Sequence, residues 1–258
     1  MIRVVHLLTL LGLVAVPAAG WFAAGWSGGT TLAVYWVENV ATCVFISLRI
    51  LVHQRWTPRR GHFRYTAPSA DRRTARGSFL AGFAVTGFAF CAAHGVFLGV
   101  ILFLLDHNGK GGFAEIDWRS VGLGCAGVVV LLVVDFVADL PVLRQLSFHR
   151  LEQTANQGVG RVIVVHLTLI FGMVGVAVTG APSTFFGVFI ALKTLFAIST
   201  ALPQWEPEAA PAWFSRLMNR LPNVHKGRTF EEFWAADRAA ERARREQNER
   251  PWSAGRRG

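Results

Sequence analysis

The stretch Tyr35-Trp36-Val37-Glu38-Asn39 lies inside an apolar run, residues 31–52, that is long enough to cross a lipid bilayer. A carboxylate at that depth is energetically expensive unless it pairs with another polar group or faces a water-filled path. Glu38 therefore predicts a polar interior, and its polar neighbours are expected in the other apolar runs.

The composition is typical of a membrane protein. The chain has 258 residues, of which 52% are hydrophobic and 16% are charged, whereas about 25% of the residues in a soluble domain are charged. Apolar runs of about 20 residues recur, and each such run predicts a transmembrane helix. The fold class that follows is all-α: a polytopic integral membrane helical bundle with a cytoplasmic, helical tail.

Six spans are predicted. The first could be a signal peptide, because an apolar core precedes Pro17-Ala18-Ala19. A retained helix is favoured because the apolar character continues through Trp21 and Phe22. Residues 1–202 thus form the predicted transmembrane domain and residues 203–258 the tail, with spans at about 4–26, 31–52, 79–105, 120–143, 162–180 and 184–202.

Orientation follows from the loop at residues 54–78, which holds many arginines against the single acid Asp71. The positive-inside rule places this loop, and with it both termini, in the cytoplasm of a cell bounded by the inner (plasma) membrane. The net charge of +10 fits that topology. No nucleic-acid recognition motif accompanies the charge, so nucleic acid is not expected as a partner. The bilayer itself is the first partner, and anionic lipid headgroups are the predicted ligands of Arg55, Arg59, Arg60, Arg64, Arg72, Arg73 and Arg76.

The tail differs from the rest of the chain. Residues 211–221 place their apolar side chains on one face, which predicts a helix lying in the membrane interface. Thr229 and Glu232 form a capping-box pattern that starts a second helix at about 230–249. That helix has few large apolar residues, so we expect it to be solvated and able to bind a protein partner. From Pro251 onward we expect disorder.

Depth along the helices groups the buried polar residues. A rise of about 1.5 Å per residue puts Glu38 roughly 10 Å below the outer surface, because its span enters from outside. His94 lies about fifteen residues along a span that enters from inside, so it reaches a similar height in a core about 30 Å thick. The sequence therefore predicts one polar layer that contains Glu38, Asn39 and His94.

A second layer is predicted near the inner surface, with Lys193 between the two layers. Asp135 and Asp139 are four residues apart and share one helix face. Histidine and aspartate side chains could bind a divalent metal, form a proton relay or form a polar network that fixes helix packing. Arg49, near the end of its span, is expected to extend to the interface. The members of this second layer are His6, Asp135, Asp139 and His166.

The chain resembles an uncharacterised family of prokaryotic polytopic membrane proteins, known only as a domain of unknown function. The resemblance implies that Glu38, His94, Arg161, His166 and Lys193 belong to one shared interior, and it implies no activity or cofactor. The matching pieces are Tyr35-Trp36-x-Glu38-Asn39 in the second span, His94, Gly160-Arg161, His166-Leu167-Thr168 and Leu192-Lys193-Thr194.

Three functions remain open from the sequence. The favoured one is a membrane-complex subunit or assembly scaffold with a buried polar network. The alternatives are a small transporter or ion-conducting protein and a metal-assisted intramembrane enzyme. The sequence has no HExxH, GxSxG or phosphate-loop motif, so it does not decide whether the protein is an enzyme.

Overall fold

The computed structural model describes residues 2–68, 77–109, 111–160, 163, 191–192, 194–195, 207–220 and 227–253. The chain divides into two compact units. The membrane unit comprises Met1–Thr57 and Leu80–Leu202, and the tail unit comprises Pro58–Phe79 and Pro203–Gly258. The named helices are α1 (Ile2–Phe22), α2 (Gly28–Trp56), α3 (Arg60–Phe63), α4 (Phe79–His107), α5 (Gly111–Ala114), α6 (Trp118–Leu143), α7 (Ala212–Met218) and α8 (Phe230–Glu249).

The prediction of an all-α bundle is confirmed. Within the described residues, four helices are long and apolar enough to cross a membrane, where the sequence predicted six spans. The predicted fifth and sixth spans, residues 162–180 and 184–202, lie almost entirely outside the described residues. The predicted bounds of the other four spans agree with those of α1, α2, α4 and α6 to within four residues at either end.

One segment expected to be a loop is helical instead. Residues 148–160 are helical, and Phe148, Leu151 and Ala155 on this helix are buried. These three residues recur at the spacing of one helix face. The prediction of spans did not include this helix, because a run of about 20 apolar residues is the signal of a span and a short helix with one apolar face has no such run.

The start of α2 is fixed by polar contacts with the connection between α4 and α6. Ser27 caps α2, and its Oγ accepts a hydrogen bond from Thr30 N at 3.1 Å. Thr30 Oγ1 in turn accepts from Asp117 N at 2.9 Å. Gly29 is required here, because a Cβ atom at this position would lie 2.5 Å from the carbonyl oxygen of Ala114.

The apolar core of the membrane unit lies between α1, α2 and α6, and α2 is the most buried of the long helices. Gly124 lets α6 approach closely, because a Cβ atom there would lie 2.6 Å from the ring of Trp26. Small residues at such crossings bring the helix backbones together. The buried centre of this core consists of Leu13, Val34, Val121, Val128 and Leu132.

In the tail unit, α8 is bound to the segment that follows α2. Thr66 N donates to Asn248 Oδ1 at 3.0 Å, and Thr66 O accepts from Asn248 Nδ2 at 2.9 Å. The ring of Phe63 stacks on Trp252 with 4.8 Å between centroids. The expectation of disorder from residue 251 onward is therefore wrong for Trp252, because its ring covers an aromatic side chain that sequence order places far away.

α8 begins with the predicted capping box: Thr229 Oγ1 accepts from Glu232 N, and Thr229 N donates to the Glu232 side chain. Its C-terminal half is less solvated than expected, because Arg244 and Asn248 are buried. Arg244 Nη1 donates to Thr66 O at 3.0 Å, which explains why a charged side chain is tolerated there.

Glu241 holds Arg244 in place. Its carboxylate accepts from Arg244 Nε at 2.7 Å and Nη2 at 2.8 Å, and from Arg245 Nε at 2.8 Å. The hydrogen bond from Arg244 is the main cause that lowers the pKa of Glu241 to about 2, with a smaller contribution from Arg245. The pKa is therefore well below the ordinary value of 4.5.

Acid should loosen the contact between α8 and Thr66. Because the pKa of Glu241 is lowered on folding, its stabilising effect is complete above about pH 4.5 and is lost as the pH falls toward 2. We expect hydrogen exchange of the amides in segment 58–68, corrected for intrinsic rates, to accelerate between pH 5 and pH 3. Glu241→Gln should accelerate exchange already at pH 7 and flatten this pH dependence. Glu246→Gln, at an exposed position of α8, is the matched control. Equal protection in the two variants at pH 7 would contradict the prediction.

Candidate functional site

An ion cluster joins three of the long helices. Asp135 and Asp139 lie one turn apart on α6, and Arg49 of α2 reaches both of them. Arg49 Nη2 lies 2.7 Å from Asp135 Oδ2, and Arg49 Nε lies 2.7 Å from Asp139 Oδ2. The planar guanidinium thus spans two carboxylates, a geometry that the single nitrogen of a lysine could not reproduce.

His6 of α1 completes the cluster from the other side. Its Nδ1 lies 2.7 Å from Asp135 Oδ1, and its Nε2 lies 3.0 Å from Asp139 Oδ1. Thr9 Oγ1, one turn further along α1, donates to Asp135 Oδ1 at 2.9 Å. Both ring nitrogens can donate only when the imidazole is protonated. In that form, two cations face two anions and the cluster is electrically neutral.

The cluster is buried at one end and open at the other. The side chain of Arg49 is 7% exposed, whereas that of His6 is 37% exposed. The guanidinium carbon of Arg49 also lies 5.7 Å from the centroid of the Phe136 ring, a cation–π contact that lowers the cost of its burial. Arg49 is thus the inner cation, and His6 lies on the open side of the cluster.

The expectation that Arg49 extends to the interface is wrong. Its position near the end of a span suggested that the long side chain would reach water. The structure instead directs it inward, because two carboxylates on the neighbouring helix lie within its reach. A signal for this was present in the sequence: an aspartate pair on one helix face requires cations at the same depth.

His6, Asp135 and Asp139 could also hold a metal ion by their spacing. One ligand atom from each lies within 4.8 Å of the others, and nitrogen with carboxylate oxygen suits several divalent metals. Arg49, however, donates to both aspartates. If a metal bound to His6 and the two aspartates, the positively charged guanidinium of Arg49 would still occupy the second oxygen of each aspartate. The arrangement therefore fits an ion-pair network better than a metal centre.

The other predicted layer is buried as well. The residues Glu38, Asn39 and His94 are all almost completely buried. Trp36 Nε1 donates to the carbonyl oxygen of Cys91 at 2.9 Å, which joins α2 to α4 just beside this layer.

A second contact fixes the register of α2 and α4. Cys43 Sγ lies 3.8 Å from Cys91 Sγ. At the other end of the layer, a Cβ atom at Gly95 would lie 2.8 Å from Trp36 Nε1, so a larger residue would displace that ring. Because the two helices are antiparallel, these contacts bracket Glu38 and His94 at one height.

Several candidate residues fall elsewhere. Arg161, His166 and Lys193 lie outside the described residues. Among the arginines proposed for lipid headgroups, Arg55 and Arg64 are exposed, whereas Arg59 is half-buried and lies 3.4 Å from Glu249. Arg60 is half-buried and its backbone nitrogen donates to Arg250 O at 2.8 Å. The described part of the chain does not include Arg72, Arg73 and Arg76.

Removing the inner cation should destabilise the membrane unit. Arg49→Gln leaves two adjacent carboxylates with one cation, and breaking a buried ion pair from one side costs about 3–5 kcal/mol. We expect a loss of that order in the free energy of unfolding, measured by denaturant titration in mixed detergent micelles. Arg55→Gln, on the same helix but exposed, should change it by less than about 0.5 kcal/mol. Similar values for the two variants would show that the cluster contributes little.

Comparison with known proteins gives a family and no activity. Residues 1–213 match the model of a family of unknown function, DUF6498. The matched residues include the helices of the ion cluster and do not include α8. No curated protein and no solved structure matches the chain.

Proposed function

We propose that this chain, which belongs to that family of unknown function, is a subunit or assembly scaffold of a membrane complex. The observation that carries the proposal is the closed ion cluster. Each carboxylate oxygen of Asp135 and Asp139 has a donor from Arg49 or His6. Such an arrangement fixes three helices relative to one another. It leaves neither an open coordination position nor an unpaired acid to carry an ion.

The membrane explains why a scaffold would use charges for this purpose. Lipid tails are as apolar as leucine, so burial of apolar side chains does not by itself hold two membrane helices in one register. Matched ion pairs do, because a shift of one turn would leave Arg49 or an aspartate unpaired in an apolar medium. The cost of a wrong register is therefore high, and the helix packing becomes specific.

The site of the complex follows from the charge distribution. We place the protein in the plasma membrane as a multi-pass protein with both termini in the cytoplasm, because the arginines concentrate between the end of α2 and the start of α4. The proposed protein partner contacts the tail. Since the family match ends at residue 213, contact through α8 is not part of what defines the family.

Ion conduction is the second candidate. Glu38 and His94 are each 1% exposed and lie at one height, and His6 is half-buried near the opposite end of the long helices. Ionisable residues at two depths are common in proton pathways. A metal-assisted enzyme ranks third, since only the spacing of His6, Asp135 and Asp139 supports it.

A variant whose cluster carries no charge distinguishes these three candidate functions. The variant His6→Gln, Arg49→Met, Asp135→Asn and Asp139→Asn removes both anions and both cations together. It leaves no unpaired charge, and such replacements are often nearly neutral for stability. If the cluster only fixes packing, the variant should lose roughly half or less of the stability that Arg49→Gln alone loses. Denaturant unfolding in mixed micelles measures the loss of stability of both variants under the same conditions.

Two further assays use the same preparations. We expect wild type and the charge-free variant to show equal proton flux in liposomes with an enclosed pH dye, and neither to hold stoichiometric metal by elemental analysis. Flux present in wild type and lost in the variant would favour conduction. Stoichiometric metal lost in Asp139→Asn would favour the enzyme. Either result would overturn the scaffold proposal.

A further inference from the structure

The tail unit exposes a small apolar surface on α7. Trp213 is 63% exposed and Leu217 is 52% exposed, and their spacing places them on one face of the helix. Both are large apolar side chains, and the helix that carries them is only one or two turns long. Two such neighbours on one short helix mark a contact surface more strongly than scattered apolar residues do.

Phe214 and Asn219 anchor α7 on α8. The ring of Phe214 packs edge-on against Phe230 with 5.3 Å between centroids. Asn219 accepts from Phe230 N at 2.8 Å, and its Nδ2 donates to Glu231 at 3.0 Å. The hydrogen bond from Asn219 also lowers the pKa of the Glu231 carboxyl. α7 is therefore held on α8 in a defined orientation, with its apolar pair pointing away.

Basic side chains border the apolar pair. Arg216 and Arg220 are both exposed, and the sequence of α7 contains no acid. Tryptophan and arginine together are characteristic of the boundary between lipid headgroups and acyl chains. An anionic leaflet satisfies both parts of this combination, because its acyl boundary takes the apolar side chains and its phosphates pair with the arginines.

We propose that α7 docks in the headgroup region of an anionic phospholipid leaflet. Trp213 and Leu217 enter the boundary with the acyl chains, and Arg216 and Arg220 pair with lipid phosphates. The proposal does not depend on the scaffold function, because it concerns the tail unit alone and not the ion cluster.

The full-length protein in lipid vesicles provides the test. A polarity-sensitive thiol probe is placed at Leu217→Cys, with Arg242→Cys on the exposed side of α8 as the matched control. The native Cys43 and Cys91 are buried, whereas Cys125 is half-buried, so labelling of the wild type gives the background. The vesicles contain phosphatidylcholine, with or without phosphatidylglycerol, and a lipid that carries a shallow spin-label quencher.

We expect the probe at position 217 to be quenched by the spin-labelled lipid and protected from aqueous iodide in vesicles with phosphatidylglycerol. Adding Arg216→Gln and Arg220→Gln should roughly halve the lipid quenching, because each basic residue adds attraction to an anionic surface. The probe at position 242 should remain accessible to iodide. A probe at Trp213→Cys repeats the measurement in case Leu217→Cys disturbs the tail.

Three outcomes would overturn the proposal. Iodide quenching at positions 217 and 213 in both kinds of vesicle would show that α7 stays in water. Lipid quenching that is unchanged by phosphatidylglycerol and by the arginine substitutions would show that docking does not require an anionic headgroup. A blue shift of the probe's emission that already occurs in detergent and grows with protein concentration would show that a second copy of the chain covers this surface.

Discussion

The contact between Arg49 and the two aspartates of α6 is the constraint on which the membrane unit depends. Arg49 is the most buried charge of the cluster, and its guanidinium fixes the rotation of α2 and of α6 at once. His6 then adds α1 to the same two carboxylates. Because apolar packing alone discriminates weakly between registers in lipid, this charged contact selects one packing from many.

Apolar and small residues extend the arrangement that the charges select. Gly124 brings α6 close to Trp26, and Gly29 brings the start of α2 against the backbone before α6. These close approaches lie toward the N-terminal ends of α2 and α6, whereas Arg49 and Asp139 lie toward their C-terminal ends. The two parallel helices are thus fixed at both ends, and the apolar core between them needs no special geometry of its own.

The sequence was a good guide to the helices and a poorer one to their partners. Hydropathy located α1, α2, α4 and α6, and the capping box located α8, because both signals are local. Depth counting also placed His6, Asp135 and Asp139 near one level. It could not find Arg49 as their partner, because hydropathy gives a residue's height but not the direction of its side chain. The helix at 148–160 was not predicted, because its buried residues Phe148, Leu151 and Ala155 mark one helix face and do not form an apolar run.

The contacts within the tail unit could not be predicted from local sequence signals. Nothing in the sequence near Thr66 indicates that Asn248 will bind its backbone, because such a contact depends on where two distant segments meet. This contact changes the interpretation of the basic loop. Arg59 pairs with Glu249, and Arg60 lies beside Arg250, so part of the positive charge that suggests lipid binding is engaged within the tail unit. The exposed cations of α7, next to Trp213 and Leu217, remain available to a membrane surface. Folding of the tail on the loop therefore uses part of the loop's positive charge within the tail unit, and the exposed arginines of α7 are the ones that we propose contact headgroups.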